Sequence, residues 1–165
     1  MQEMDLLKPK EIVDLACGEG FFEQYLIKNG QKLNLIGVDI SFQAVAEAKN
    51  RNPQANFLVD DVLNLKLKEK FDLALMLELL EHLSQPEKAI ASAKKIARRV
   101  IISVPWEPWF SWLSWLGGKH FKRFGKHPEH CQFFNKKKLQ NLLDKHFPKV
   151  EIKSSGPWLI AVCQH

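Results

Sequence analysis

The chain has 165 residues, 45% of them hydrophobic, and a formal net charge of +5, which is enough apolar content for the core of one globular domain. No stretch approaches the roughly 20 continuous apolar residues of a membrane-spanning helix, and the opening MQEMDLLKPKEIVDL lacks the basic-then-apolar order of a secretion signal. Cys17, Cys131 and Cys163 are odd in number and widely spaced; they exclude a disulfide scaffold or a cysteine metal site and read as reduced thiols of a cytoplasmic protein.

Taken in order, EIVDLA (11–16) is a short apolar run breaking into a glycine turn, as a buried strand does. GFFEQYLIKNG follows, with Phe22, Tyr25, Leu26 and Asn29 at helical spacing and Gly30 in stop position. LNLIGVD (33–39) is a second strand. Ser41 caps a helix through FQAVAEAKN that ends at Asn52-Pro53. ANFLVD (55–60) and FDLALML (71–77) are the third and fourth strands. In SQPEKAIASAKKIA, Ser84 and Glu87 have capping-box spacing ahead of an apolar stripe of Ala89, Ile90, Ala93, Ile96 and Ala97. RRVIISVP (98–105) is a fifth strand, Asn135 caps a helix carrying Leu139, Leu142 and Leu143, and KVEIKSS and PWLIAVCQ close the chain as two strands.

Strands alternating with helices predict an α/β fold: a Rossmann-like, doubly wound, mostly parallel seven-stranded sheet in a three-layer α/β/α arrangement. The last two strands have no helix between them and are expected to form an antiparallel hairpin at one edge. Residues 1–165 read as a single domain, with an aromatic and basic insertion over about residues 105–134.

Ligands of such sheets bind at the C-terminal strand ends, near the point where strand order reverses. There the first turn reads VDLACGEGFF. Gly18 and Gly20 permit a tight turn and close backbone approach; Asp14 ends the strand before it, and Asp39 ends the second strand, 19 residues beyond Gly20, where a carboxylate can accept from ribose hydroxyls. Glu23 stands where a dinucleotide fingerprint needs a small residue, and no Lys-Ser/Thr follows the glycines, so neither a pyrophosphate cradle nor a P-loop is present.

From Glu11 to Leu83 the chain resembles the class I S-adenosylmethionine-dependent methyltransferases, in the broad group that includes those of ubiquinone biosynthesis. DLACGEG resembles the first motif of the family, with Ala16 where many members have Gly; GVDIS resembles the second, FLVDDVLNL the third and FDLALMLELLEHL the fourth. The resemblance implies S-adenosylmethionine as cofactor and S-adenosylhomocysteine as product. It implies cofactor contacts from Asp14, Ala16, Gly18, Gly20, Asp39, Ile40, Asp61, the Val62 amide and the Met76 carbonyl. The acids suit a ligand bearing a sulfonium and an ammonium. His82, His127 and His130 are the candidate bases, with His130 the better placed after the fifth strand. LELL stands where an Asn-Pro-Pro-aromatic signature would mark methylation of amide or adenine nitrogens.

Charge divides the chain: residues 1–93 hold 10 Lys+Arg against 15 Asp+Glu, and residues 94–165 hold 14 against 4. Within the basic part, PWFSWLSWLGGKHFKRF puts Trp109 and Trp112 on one helical face, widened by Trp115, ahead of Lys119, Lys122 and Arg123. Aromatics first and charges afterwards suit a lipid boundary or the mouth of a pocket for a small hydrophobic or lipid-linked acceptor, with peripheral membrane contact. RNA is the second partner reading, with Lys136, Lys137 and Lys138 as its phosphate contacts, and a non-catalytic cofactor-binding module is the third. The first strand starts at Glu11, so the cover over the cofactor is expected from the aromatic segment or another subunit, or the site is open.

Overall fold

The computed structural model describes residues 9–30, 34–106 and 131–165. Trp109, Trp112, Trp115, Lys119, Arg123, His127 and His130 lie outside them.

Seven strands form one sheet in the order β3-β2-β1-β4-β5-β7-β6: β1 (Glu11–Leu15), β2 (Asn34–Asp39), β3 (Asn56–Val59), β4 (Phe71–Leu77), β5 (Ala97–Pro105), β6 (Lys149–Ser155) and β7 (Trp158–Gln164). From β1 the chain steps outward to β2 and β3, then returns to β4 on the other side of β1, all in parallel. The expected hairpin is present. β7 inserts antiparallel between β5 and β6, with Val100 opposite Cys163 and Val150 opposite the same residue on the far side.

Four described helices cover the sheet: α1 (Phe21–Lys28), α2 (Phe42–Arg51), α3 (Pro86–Ile96) and α4 (Lys136–Leu143). Successive residues of a strand face opposite ways, and β1 divides accordingly. Val13 and Leu15 join Ala89, Ile90 and Ala93 of α3 and Leu139 and Leu143 of α4 in the larger core. Ile12 packs instead with Leu26 of α1, Leu73, Leu75 and Ile101. Val45 and Ala48 of α2 close on Cys17 and Phe57.

Two helix starts follow the sequence reading. Ser41 Oγ accepts from Ala44 N at 3.2 Å and Asn135 Oδ1 from Lys138 N at 2.8 Å. The third does not: α3 begins at Pro86 with Gln85 as its N-cap and no side-chain cap bond. Proline fits the first helical position because it has no N–H to satisfy, and this moves the start past Ser84, so the Ser84–Glu87 box does not form. The buried face of α1 is also rotated from expectation. Glu23 and Leu26 point inward, while Tyr25 is exposed.

Candidate functional site

The topological switch lies between β1 and β4, and the glycine turn occupies the C-terminal end of β1. Three residues of the turn take left-handed backbone angles: Ala16 (φ 73°), Gly18 (φ 55°) and Gly20 (φ 75°). Ala16 N and Cys17 N both donate to Val38 O, at 2.7 and 3.0 Å, stitching the turn to β2. A Cβ on Gly20 would stand 2.7 Å from Asn52 Nδ2 and 3.0 Å from Ala48 Cβ, so only glycine fits against α2. Asn52, buried at the end of that helix, donates from Nδ2 to Gly20 O at 2.8 Å. A Cβ on Gly18 would meet nothing within 4 Å, which leaves that part of the turn open to a ligand.

Ala16 is in a conformation that costs an L-residue about 1 kcal/mol. Ala16→Gly is expected to relieve it, raising the melting temperature by about 2–4 °C in a thermal melt.

Asp39 closes β2 and is engaged on both oxygens: Oδ2 accepts from Gly18 N at 2.9 Å and Oδ1 from Ser41 N at 2.8 Å. It holds the glycine turn against the start of α2 while each oxygen keeps a further lone pair. At the end of β3 the neighbouring acids do different work. Asp60 Oδ2 accepts from Lys66 N (2.8 Å) and Leu67 N (3.2 Å), folding the next loop back. Asp61 Oδ1 caps the short 3₁₀ turn Val62–Asn64 through Leu63 N at 2.8 Å. Among the described residues Asp61 Oδ2 makes no hydrogen bond.

These strand ends enclose a cavity of about 150 Å³ lined by Ala16, Val38, Asp39, Ile40, Asp60, Asp61, Val62, Leu63, Leu79 and Leu83. Its lining is mostly apolar, with three acids, Asp39, Asp60 and Asp61, among the residues that border it. The structure thus brings Ala16, Asp39, Ile40, Asp61 and Val62 together. Met76 is set apart: its side chain is fully buried in the core, between Leu75, which pairs with Asp14, and Leu77 at the end of β4.

Three glutamates, unremarked as site residues in the sequence, crowd the same end of the sheet. Glu78 follows β4 with a left-handed φ of 52°. Its Oε1 accepts from Ser103 Oγ at 2.7 Å and its Oε2 from Trp158 Nε1 at 2.9 Å. Glu81, on the 3₁₀ turn Leu80–His82, is 1% exposed, and neither carboxyl oxygen has a partner among the described residues. Burial, reinforced by the charge of Glu78, pushes its carboxyl up to about 8. The carbonyl of Glu81 accepts from Cys131 N (2.8 Å) and Gln132 N (3.0 Å), which docks the chain returning from the aromatic segment beside β4. His82 is exposed on the same turn. The third is Glu23, buried on α1. Spacing offered one signal: Glu78 and Glu81 stand three apart directly after a strand.

Asp14, 2% exposed, has an Oδ1 with no partner among the described residues. Burial, then the Glu23 and Asp39 charges, hold its carboxyl well above the usual range.

A parallel sheet reversing at β1/β4, a left-handed glycine turn, and acids closing β1, β2 and the loop after β3 define a Rossmann-like domain of the methyltransferase class. Residues 3–146 match the family described as "Methyltransferase domain", and the chain belongs to that family, within the class I S-adenosylmethionine-dependent group. It is 30% identical over 103 residues to a ubiquinone biosynthesis O-methyltransferase of Coxiella burnetii, covering 59% of this chain and 43% of that protein's length. The plantazolicin methyltransferase BpumL, solved with a triazolic desmethylPZN analog and SAH, superposes with a TM-score of 0.83 at 16% identity, over 99% of this chain and 80% of the other. The small RNA methyltransferase HEN1 gives 0.80 at 20% identity, over 99% of this chain and 25% of the other. At those identities the two structures speak for the fold.

Proposed function

We propose that this domain transfers the methyl group of S-adenosylmethionine to a small hydrophobic or lipid-linked acceptor. The observation carrying the cofactor half is Asp39. One carboxylate ties the glycine turn to the start of α2 and borders the cavity, where it can also meet ribose hydroxyls. Asp61 and the Val62 amide would serve the adenine edge, Ile40 its face, and Asp14 with the turn at Ala16, Gly18 and Gly20 the amino-acid end. The Met76 carbonyl would lie toward the methionine moiety. Sulfonium methyl transfer is an in-line displacement in which the donor sulfur is already positive and departs as a neutral thioether. The residues' work is therefore alignment, worth at best about 7–11 kcal/mol of the barrier. A base, His82 or His130, matters only for a protonated acceptor.

Support for the acceptor comes from the chain path. The stretch holding Trp109, Trp112, Trp115, Lys119 and Arg123 leaves at Trp106 and returns at Cys131, whose amide binds the Glu81 carbonyl beside the end of β4. Apolar rings ahead of basic groups match an apolar acceptor with an anionic or interfacial end. The relative named for ubiquinone biosynthesis is consistent with this reading. RNA is kept as the second reading because HEN1 shares the fold.

The test is incubation with methyl-labelled S-adenosylmethionine and a cell extract, with Asp39→Ala as control. Asp39-dependent label is expected in the organic phase. Label in RNA would overturn the acceptor reading, and cofactor binding with no label in any fraction would favour a non-catalytic module.

A further inference from the structure

Behind the glycine turn lie two carboxyl groups on which no positive charge of the described residues acts. Asp14 is on β1 and Glu23 on α1. Strand alternation places Asp14 on the same face as Ile12, the face that Leu26 of α1 covers. Leu26 is three residues beyond Glu23, so the two point toward that face together. Asp14 is 2% exposed and Glu23 0%. Asp14 Oδ1 and both Glu23 oxygens have no hydrogen-bond partner among the described residues.

The groups acting on the pair are Asp14 on β1, Glu23 on α1, Cys17 in the turn and Asp39 on β2, all of them acidic or neutral. Two adjoining carboxylates stripped of water cannot both stay charged; a shared proton makes one the donor and the other the acceptor. Burial first raises both carboxyls, and contact with Glu23 raises Asp14 further while contact with Asp14 draws Glu23 back. A fully buried carboxyl with no partner among the described residues is costly to keep where an apolar side chain would carry no charge, and it invites a use.

Resting on the cofactor reading above, we propose that Glu23 is a positioning residue for the cofactor. It holds Asp14 through a shared proton while the site is empty, and that proton passes to solvent when the ammonium group of the cofactor's amino-acid end docks against Asp14. Glu23 itself, fully buried, acts through Asp14 and not on the ligand. Because docking requires the pair to lose its proton, affinity climbs with pH until the pair is already deprotonated.

The test titrates the protein calorimetrically from about pH 5 to about pH 9, in buffers of different ionisation enthalpy. Two ligands are compared: S-adenosylhomocysteine, which has the ammonium, and 5′-methylthioadenosine, which lacks the amino-acid end. Wild type is expected to release up to one proton with the first and none with the second. Glu23→Gln leaves Asp14 buried, so it is expected to release less proton with S-adenosylhomocysteine and to reach its full affinity at a lower pH than wild type. At the alkaline end it should bind about tenfold more weakly, with methylthioadenosine affinity unchanged. Glu23→Asp should restore part of the pH dependence, which a purely structural role would not do. Equal proton release and equal profiles in wild type and Glu23→Gln overturn the proposal and leave the cofactor reading standing. Failure of wild type to bind either ligand overturns the cofactor reading as well. Should Glu23→Gln not fold, the wild-type comparison decides: release of a proton with S-adenosylhomocysteine alone supports the pair, and no release overturns it.

Discussion

Asp39→Ala is expected to remove most of the rise in melting temperature that S-adenosylhomocysteine gives the wild-type protein. The substitution removes the acceptor of Gly18 N and Ser41 N together, so the turn loses its tie to α2 as the ribose hydroxyls lose their partner. Hydrogen bonds to a charged group contribute about 1.5–3 kcal/mol each, and losing the ligand's share alone weakens binding about 100-fold. A ligand at 100 times its dissociation constant stabilises by about 2.7 kcal/mol, or about 5–10 °C for a domain of this size. After a 100-fold loss the same ligand concentration gives about 0.4 kcal/mol. Differential scanning fluorimetry at fixed ligand reads the difference directly. Asp39→Asn, which keeps one acceptor oxygen, should fall between. An undiminished shift in Asp39→Ala would mean that the ligand does not use the end of β2.

The second large effect concerns pH. Glu81 holds its proton up to about 8 in the folded chain against 4.5 for an ordinary glutamate. Between those values the folded state binds more protons than the unfolded one, so stability falls as pH rises through that window. Below 4.5 both states are protonated and the penalty vanishes; above 8 it is complete. Asp14, Glu23 and Glu78 are all shifted in the same direction, each chiefly by burial. The ligand-free protein should therefore melt lower at pH 8.5 than at pH 5.5, with about 3 kcal/mol, or about 6–12 °C, from Glu81 alone. Glu81→Gln should flatten that slope. The amide also needs partners and costs about 1–3 kcal/mol at every pH, so the slope and not the absolute melting point carries the result. Identical slopes in the two proteins would show that Glu81 is solvated or paired in solution.

Local devices were legible before the fold was seen, because their bonds span a few residues. The caps of Ser41 and Asn135 and the stop at Gly30 follow from side-chain reach and backbone freedom. FDLALML is one strand end to end since its buried apolar run has no competing period. The three acids Asp14, Asp39 and Asp61 could be placed because each stands where a strand yields to a turn. Glu23, Glu78 and Glu81 were not legible as site residues. A glutamate in a helical or loop pattern is ordinarily solvated, and burial is decided by which strand or helix faces it, a long-range fact. The rotated face of α1 has the same origin: periodicity favoured Tyr25, but the partner across the interface is a carboxyl at Asp14. Asp39 was read for a ligand, and its second duty as an anchor for Gly18 appears only when residues 21 apart in sequence meet.

The segment between Trp106 and Cys131 leaves and re-enters the fold through fixed backbone contacts. Trp106 bridges to Phe134, its amide binds Pro157 O at 2.8 Å, and Cys131 and Gln132 bind the Glu81 carbonyl. With both attachment points secured to the sheet, closing a longer or shorter connection costs only about 0.6 kcal/mol per doubling. The fold is thus built like an instrument with a fixed handle and an interchangeable head. Changes of length between those points leave the anchoring bonds of Trp106, Cys131 and Gln132 in place, giving descent with altered chemistry a cheap route and the protein engineer a natural splice site.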